Sequence, residues 1–431
     1  MGFRVKWALL GLLVFVPGPA ARAGGPVPTV RIGVMQGRER VSFSGSEGVI
    51  VKALRGGREI ARAGPGETWE ARADGGRVHL EDASGAREWA GSSGYRLMAP
   101  EGGTVTLYGV GEHWDGAVDR EYRGVIELRS QRGGLAAVNA VDIETYLRGV
   151  VPSEMPARYP VEALKAQAVA ARGQALMKAG RHRRDGFDLC AGQHCQVYGG
   201  ATVEDERSDR AVADTKGEVV VWEGRIADTL YSSNCGGHTA NNEDYWVGQR
   251  PAPYLRGQPD FEGEGVGVSF PLAEEELEQF LKYAPPVNCN RPGYARASTI
   301  RWWFVVPRGE LEETLRGTVG EFGELLNVRI MERGGSGIVR DLLVTGSRRP
   351  VRLRGGSEIR RAMGGLNSAF FAVEPVKGEG EFPAAFVIWG AGWGHQVGMC
   401  QVGAAGQADA GRDYREILAK YYTGCEVVRR Y

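Results

Sequence analysis

The sequence predicts an α+β protein, with a β-rich N-terminal lobe and a mixed α/β core that contains one long helix. Two changes of pattern carry that prediction. Residues 29–129 are short β-type runs, among them VRIGVM, GVIVKAL, TVTLYGV and YRGVIEL, separated by glycine-rich turns. Beyond residue 135 the period changes: the strand-like LAAVNAV leads into the helical DIETYLRGV, and residues 161–179 then form the clearest helical stretch. The boundaries this implies are a lobe over residues 24–130 and a core over 131–431, with a division of that core at about residue 217 left open.

The first residues read as a secretory signal peptide. Arg4 and Lys6 precede the apolar run WALLGLLVFV, Pro17 and Pro19 break it, and Ala21-Arg22-Ala23 offers a cleavage site. The run is too short to span a bilayer comfortably, and no later segment is long and apolar enough to do so. The expectation is residues 1–23 removed, no stable membrane span, and a mature chain outside the cytoplasm, in the periplasm, the cell wall or the medium. Lys+Arg and Asp+Glu number 53 each in 431 residues. That balance removes the broad attraction nucleic-acid binders carry, and no nucleic acid is expected as a partner.

In the core, Asp142 is placed to cap the DIETYLRGV helix. VPSEMPARYP follows as a turn fixed by Pro152, Pro156 and Pro160, with Glu154 inside it. The helix over 161–179 carries an apolar stripe of Val161, Leu164, Ala168, Ala171, Ala175 and Ala179, and Gly180 closes it. Lys165 and Arg172, seven apart, share one face beside that stripe. Strands are predicted in EVVVWEG and RIADTLYSS, helices over 272–283 and 309–315, and strands over 337–353. Near the C-terminus, AAFVIWGAGWGHQVGMCQVGAAGQA reads as strand, glycine-rich loop and helix start. A last helix is predicted over 414–422.

Three sets of residues have chemistry in reach. Glu154 is an acid with apolar neighbours Val151 and Met155, which disfavour its charged form and suit it to give a proton. On spacing alone it reads as an acid complementing a helix dipole, and Lys165 and Arg172 as solvated helix charges. Cys190, His194 and Cys195, with His182 upstream, have feasible zinc spacing; a disulfide or free thiols are the alternatives. Cys235, Cys289, Cys400 and Cys425 complete the six cysteines. Neither G-x-x-x-x-G-K-[ST] nor H-E-x-x-H occurs, which argues against a phosphate-cradling loop and a zinc peptidase.

VNAVDIETYLRGVVPSEMPARYPVEALKAQAVAARGQAL, DLCAGQHCQVYGG, LYSSNCGGHTANNEDYW, PYLRGQPD and WGHQVGMCQVGAAGQADAG resemble the SpoIID/LytB family, in order across residues 137–425. The resemblance implies a SpoIID-like catalytic core: a peptidoglycan lytic transglycosylase favouring strands stripped of stem peptides. It places the catalytic acid on Glu154 and activity-linked cations on Lys165 and Arg172. His395 and Gln401 fall in a loop that lines the substrate cleft. It also implies a structural zinc on His182, Cys190, His194 and Cys195. LytB-type relatives imply a cell-wall amidase as partner, so a non-catalytic wall-binding or amidase-enhancing protein is the alternative. A Cys235–Cys289 disulfide is implied, with His238 as a possible zinc ligand instead. Cys400 and Cys425 stand where relatives commonly have Ser or Thr, and their joint presence hints at a second disulfide. No role in sporulation follows from the resemblance.

Overall fold

Apolar residues alternate along the N-terminal runs, and this alternation turns Val30 and Ile32, Val49 and Val51, and Val105 and Leu107 into one interior. The computed structural model describes residues 25–431 except 83, 86, 87, 114, 115, 132, 262–269 and 379–381. The expected signal peptide lies outside the described residues. The chain is α+β and rich in strands.

A seven-stranded sheet runs in the order Leu189–Cys190, Thr29–Arg38, Gly134–Asp142, Val125–Gln131, Gly94–Met98, Val49–Ala53, Glu59–Ala63. A six-stranded sheet built on Val105–His113, Arg40–Gly45 and Trp69–Asp74 shares its core. Gly134–Asp142 pairs antiparallel with both Val125–Gln131 and Thr29–Arg38. The expected boundary at 130/131 therefore falls inside one hairpin. Leu189–Cys190 joins the edge in parallel, Gly33 opposite Cys190, and ties the cysteine loop to the N-terminal lobe.

The helix after this sheet is Ile143–Glu154, its first turn capped by the Asp142 carboxylate, which accepts from the Glu144 and Thr145 amides. Here the structure corrects the sequence reading: Glu154 is the last residue of this helix, not part of a turn. Pro152 lies in the final turn, where its missing N–H leaves one hydrogen bond unmade but does not stop the helix. Ser153 Oγ donates to the Gly149 carbonyl at 2.7 Å, and the Met155 amide to Val151 at 2.9 Å, so the chain stays wound until Met155. The true turn is the short segment between Pro156 and Pro160.

The long helix is Val161–Lys178, with Gly180 at φ 84° just beyond its end. It is buried on nearly every side from Ala163 to Ala175, including Gln167, Arg172 and Gln174. The expected stripe is too narrow a description, and Val161, 36% exposed at the first turn, is not part of the core. Small alanines let neighbours close in all round; Arg172 and Gln167 Oε1 find partners there, while Gln167 Nε2 is buried without one.

Past residue 217, Glu218–Trp222 pairs with Glu426–Arg429, bringing the C-terminus back to the core. Tyr231–Ser232 runs parallel to Met399–Cys400. RIADTLYSS yields only the short strands Arg225–Ile226 and Tyr231–Ser232. Along the chain between Tyr231–Ser232 and Met399–Cys400 lies a lobe with its own core of Trp302, Leu315, Phe322, Leu342, Phe371 and Ile388. It holds two three-stranded sheets and the helices Arg308–Val319 and Gly356–Ala362. No helix of the described residues is long and apolar enough to cross a membrane.

Candidate active site at Glu154

The end of helix Ile143–Glu154 delivers Glu154 to the junction of three segments. Its carboxyl accepts a hydrogen bond from the Val197 amide at 2.7 Å, in the cysteine loop. Its backbone carbonyl accepts from Gln401 Nε2 at 2.9 Å, on the C-terminal helix Gln401–Asp409. Protein surrounds the carboxyl while part of the residue stays open. Burial pushes its pKa up to about 7; the Val197 amide and the Lys178 ammonium pull the other way.

At 100° per residue, Gln167, Ala171, Gln174 and Lys178 form one stripe of the long helix, and it faces this junction. Gln167 Oε1 accepts from Gln401 Nε2 at 3.3 Å. The Ala171 carbonyl accepts from Gln196 Nε2, which also donates to Tyr231 Oη at 2.8 Å. Tyr146 Oη bonds Gln196 Oε1 at 3.3 Å. Burial and the Glu154 charge both hold Tyr146 and Tyr231 well above the usual phenol range. Lys178 is itself lowered by burial, with Asp228 and Glu154 opposing. Burial raises Asp228, whose Oδ1 is buried without a hydrogen-bond partner. Lys178, Gln196, Asp228 and Tyr231 were not singled out in the sequence, although the spacing of 167, 171, 174 and 178 was a signal for the first of them.

Lys165 and Arg172 are on the other side of that helix, roughly 140–160° around from the stripe. The structure does not bring them to Glu154. Arg172 is wholly buried, its guanidinium bidentate on Glu144 at 2.9 and 2.7 Å and donating also to the Glu218 carbonyl. Lys165 pairs with Glu162 at 2.9 Å and Asp214 at 3.5 Å. Both charges are thus already engaged within the fold, Arg172 out of reach of solvent and Lys165 still partly exposed.

His395 and Gln401 enter from the C-terminal loop. Parallel pairing of Tyr231 with Met399, and bridges from Asn234 to Trp393 and Ala240 to Val397, stitch that loop to SNCGGHT. Gln401 reaches Glu154 as described. His395 packs against Trp246, ring centroids 5.2 Å apart, and its Nδ1 accepts from the Val397 amide at 3.0 Å. Burial lowers its pKa to about 3, so the ring is neutral. Trp393, two residues away, is 44% exposed.

His182, Cys190, His194 and Cys195 come together with all ligand atoms within 4.8 Å. His182 Nε2 and His194 Nδ1 are 3.2 Å apart, and Cys190 Sγ is 3.8 Å from His194 Nδ1. Asp185 holds His182 Nδ1 at 3.0 Å, which turns Nε2 inward as metal-bound histidines require. Two thiols and two imidazoles in a part-buried group fit zinc.

The other cysteines differ from expectation. All six are free thiols. Cys235 and Cys289 do meet, Sγ to Sγ at 3.7 Å, but unbonded. Cys400 joins them rather than Cys425, because the parallel pairing at Ser232 fixes it there. His238 is outside the group, its Nδ1 on the Thr239 carbonyl and its ring against Phe270. A separate cavity lined by Gly33, Met35, Arg38, Tyr122, Cys190 and Tyr198 lies beside the cysteine loop rather than at Glu154.

Residues 131–222 match the family described as Stage II sporulation protein, and residues 240–398 match a domain of unknown function, DUF8618. An uncharacterized protein of Brachyspira hyodysenteriae is 29% identical over 309 residues, covering 72% of each chain. The amidase enhancer of Bacillus subtilis is 28% identical over 64% of this chain and 39% of its own length. Stage II sporulation protein D of Bacillus amyloliquefaciens is 28% identical over 68% of this chain and 75% of its own.

Proposed function

This chain belongs to the SpoIID/LytB family, and from that premise we propose that it is an extracytoplasmic lytic transglycosylase, cutting peptide-stripped peptidoglycan glycan strands with Glu154 as acid and base. The reading rests on one carboxyl that holds its proton close to neutrality because burial raises it to about 7. Glu154 gives that proton to the bridging oxygen as the bond from C1 to that oxygen breaks. The resulting carboxylate then takes the proton of the muramoyl 6-hydroxyl while its oxygen bonds to C1. The product is a 1,6-anhydro end, water is not consumed, and a second carboxylate, as used by most hydrolytic glycosidases, is not required.

Lys178 steadies the carboxylate form, and Gln401 and the Val197 amide hold Glu154 in place. His395 is a neutral contact for sugar hydroxyls, with exposed Trp393 beside it. His182, Cys190, His194 and Cys195 would hold zinc in a closed shell. With no ligand position left for water, the metal would brace the loop that carries Gln196 and Val197. Residues 1–23 are the export signal and 24–130 an accessory lobe in this reading.

Purified glycan strands, digested and analysed by mass spectrometry, provide the test. Wild type is expected to give anhydro-muramoyl ends that vanish in Glu154→Gln. Reducing ends with water added would replace the transglycosylase with a hydrolase. A second reading has one support, the similarity to a protein named amidase enhancer. It predicts no turnover by wild type alone, retained glycan binding, and faster cutting by an added cell-wall amidase.

A further inference from the structure

Cys235, Asp260, Cys289 and Cys400 come from four separate stretches of chain and converge below the C-terminal loop. Their ligand atoms all lie within 4.8 Å of one another. All four residues are fully buried. The Cys235–Cys289 sulfur separation of 3.7 Å is far beyond a disulfide bond of about 2.05 Å. It matches the edge of a tetrahedron with metal–sulfur bonds of about 2.3 Å, which is roughly 3.8 Å. Three thiols and a carboxylate meeting in a fully buried group is the donor set of a closed, structural site for a borderline-soft cation.

The surroundings orient each donor. Cys400 Sγ accepts from the backbone amides of Cys235 at 3.2 Å and Gly403 at 3.3 Å, the latter in the first turn of helix Gln401–Asp409. Asp260 accepts from the Cys289 amide at 2.7 Å through one oxygen and from Tyr421 Oη at 2.8 Å through the other. Such contacts turn ligands toward a metal and keep them there. A Cβ at Gly403 would collide with Asp260 and Tyr421, so only glycine lets that helix approach the group. Arg301, nearly buried and hydrogen-bonded to the Gly236 carbonyl, offsets part of the remaining negative charge. A Cys235–Cys289 disulfide would instead leave the Cys400 thiol and the Asp260 carboxylate packed together with no use for their convergence.

We propose that Cys235, Asp260, Cys289 and Cys400 form a second, structural zinc site, distinct from the group at His182. Metal there ties the SNCGGHT loop and the segment around Cys289 to the start of the helix whose Gln401 seats Glu154. Metal content of the purified full chain, measured by plasma mass spectrometry, tests it in a Cys190→Ser/Cys195→Ser variant that lacks the other group. That variant is expected to keep one equivalent of zinc after dialysis against zinc and removal of the excess, and to lose it when Cys400→Ser is added. Should the triple variant not fold, cobalt(II) loaded into the double variant is expected to show thiolate-to-cobalt charge-transfer absorption. No retained zinc in the folded double variant, absence of that absorption, or a Cys235–Cys289 disulfide in a peptide map of the non-reduced protein would each overturn the proposal.

Discussion

The long helix Val161–Lys178 has two charged faces that look alike in sequence and differ in surroundings. On one, Arg172 is locked onto Glu144 and Lys165 onto Glu162 and Asp214. On the other, Lys178 acts on Glu154, whose enclosed carboxyl has a raised pKa while part of the residue stays open. The first face joins elements of the fold, since Arg172 also binds the Glu218 and Val212 carbonyls. The second leaves an acid short of compensating charge. A cation with all its donors engaged stabilises; an acid left partly uncompensated can react.

The largest effect expected from breaking this contrast is at Glu154. Glu154→Gln removes the proton donor, and strand cleavage is expected to fall by about 10²–10⁴-fold or more. Its stability effect has the opposite sign. The folded-state value of about 7 lies above the ordinary 4.5, so folding favours the protonated acid. That contribution is fully present below about pH 4.5 and is lost as pH rises through about 7. The neutral glutamine variant is therefore expected to match wild type in urea midpoint near pH 4 and to exceed it at pH 8, by about 1–3 kcal/mol. Equal midpoints at both pH values would mean that Glu154 is an ordinary solvated acid.

Next in size is Arg172→Met on the opposite face. It strands the Glu144 carboxylate, which also accepts from Tyr431 Oη at 2.6 Å and from the Gly217 amide. Removing one partner of such a buried pair is expected to cost about 3–5 kcal/mol in denaturant unfolding. Adding Glu144→Gln should recover part of it, while kcat per folded molecule stays close to wild type. A large rise in KM with little loss of stability would move Arg172 to the substrate.

How much of this was legible in the sequence depends on the range of the interactions. Asp142 as a cap, the strand Gly134–Asp142 and the helix Tyr414–Tyr421 follow from local pattern, and the structure has them within a residue or so. The His182 group could be picked from its spacing, because residues close in sequence hold its geometry, whereas Glu154 was picked by resemblance. The helical end at Glu154 was missed because proline argues against a helix, yet in the last turn it removes only one bond. Lys165 and Arg172 were assigned by resemblance, and which face of the helix meets Glu154 is decided by Gln401, more than two hundred residues away. The same distance hides the meeting of Cys400 with Cys235 and Cys289. The lobe around Trp302 and Ile388 was likewise not separated, since its core joins strands far apart in the chain.

A smaller effect is expected at Lys178. Its positive charge lowers the Glu154 pKa, so Lys178→Met removes a term that favours the carboxylate. The alkaline limb of the kcat/KM profile, which reports loss of the proton from Glu154, should move to higher pH. A limb that stays in place, or moves down, would show that Lys178 does not act on the acid.

Lys165→Ala is expected to do least, and that makes it the sharpest control on the two-face comparison. The ammonium is paired with Glu162 and Asp214 and lies 6.0 Å from the Tyr414 ring centroid, all on the side away from Glu154. Pairs with this much solvent access are worth about 0–1 kcal/mol, so the unfolding midpoint should barely move. The alkaline limb that Lys178→Met shifts should not move at all, because no charge near Glu154 has changed. If Lys165→Ala nonetheless weakens glycan binding while stability and the pH profile hold, the strand must run over both sides of the helix. The division between a structural face and a reactive one would then fail at Lys165 while still standing at Arg172.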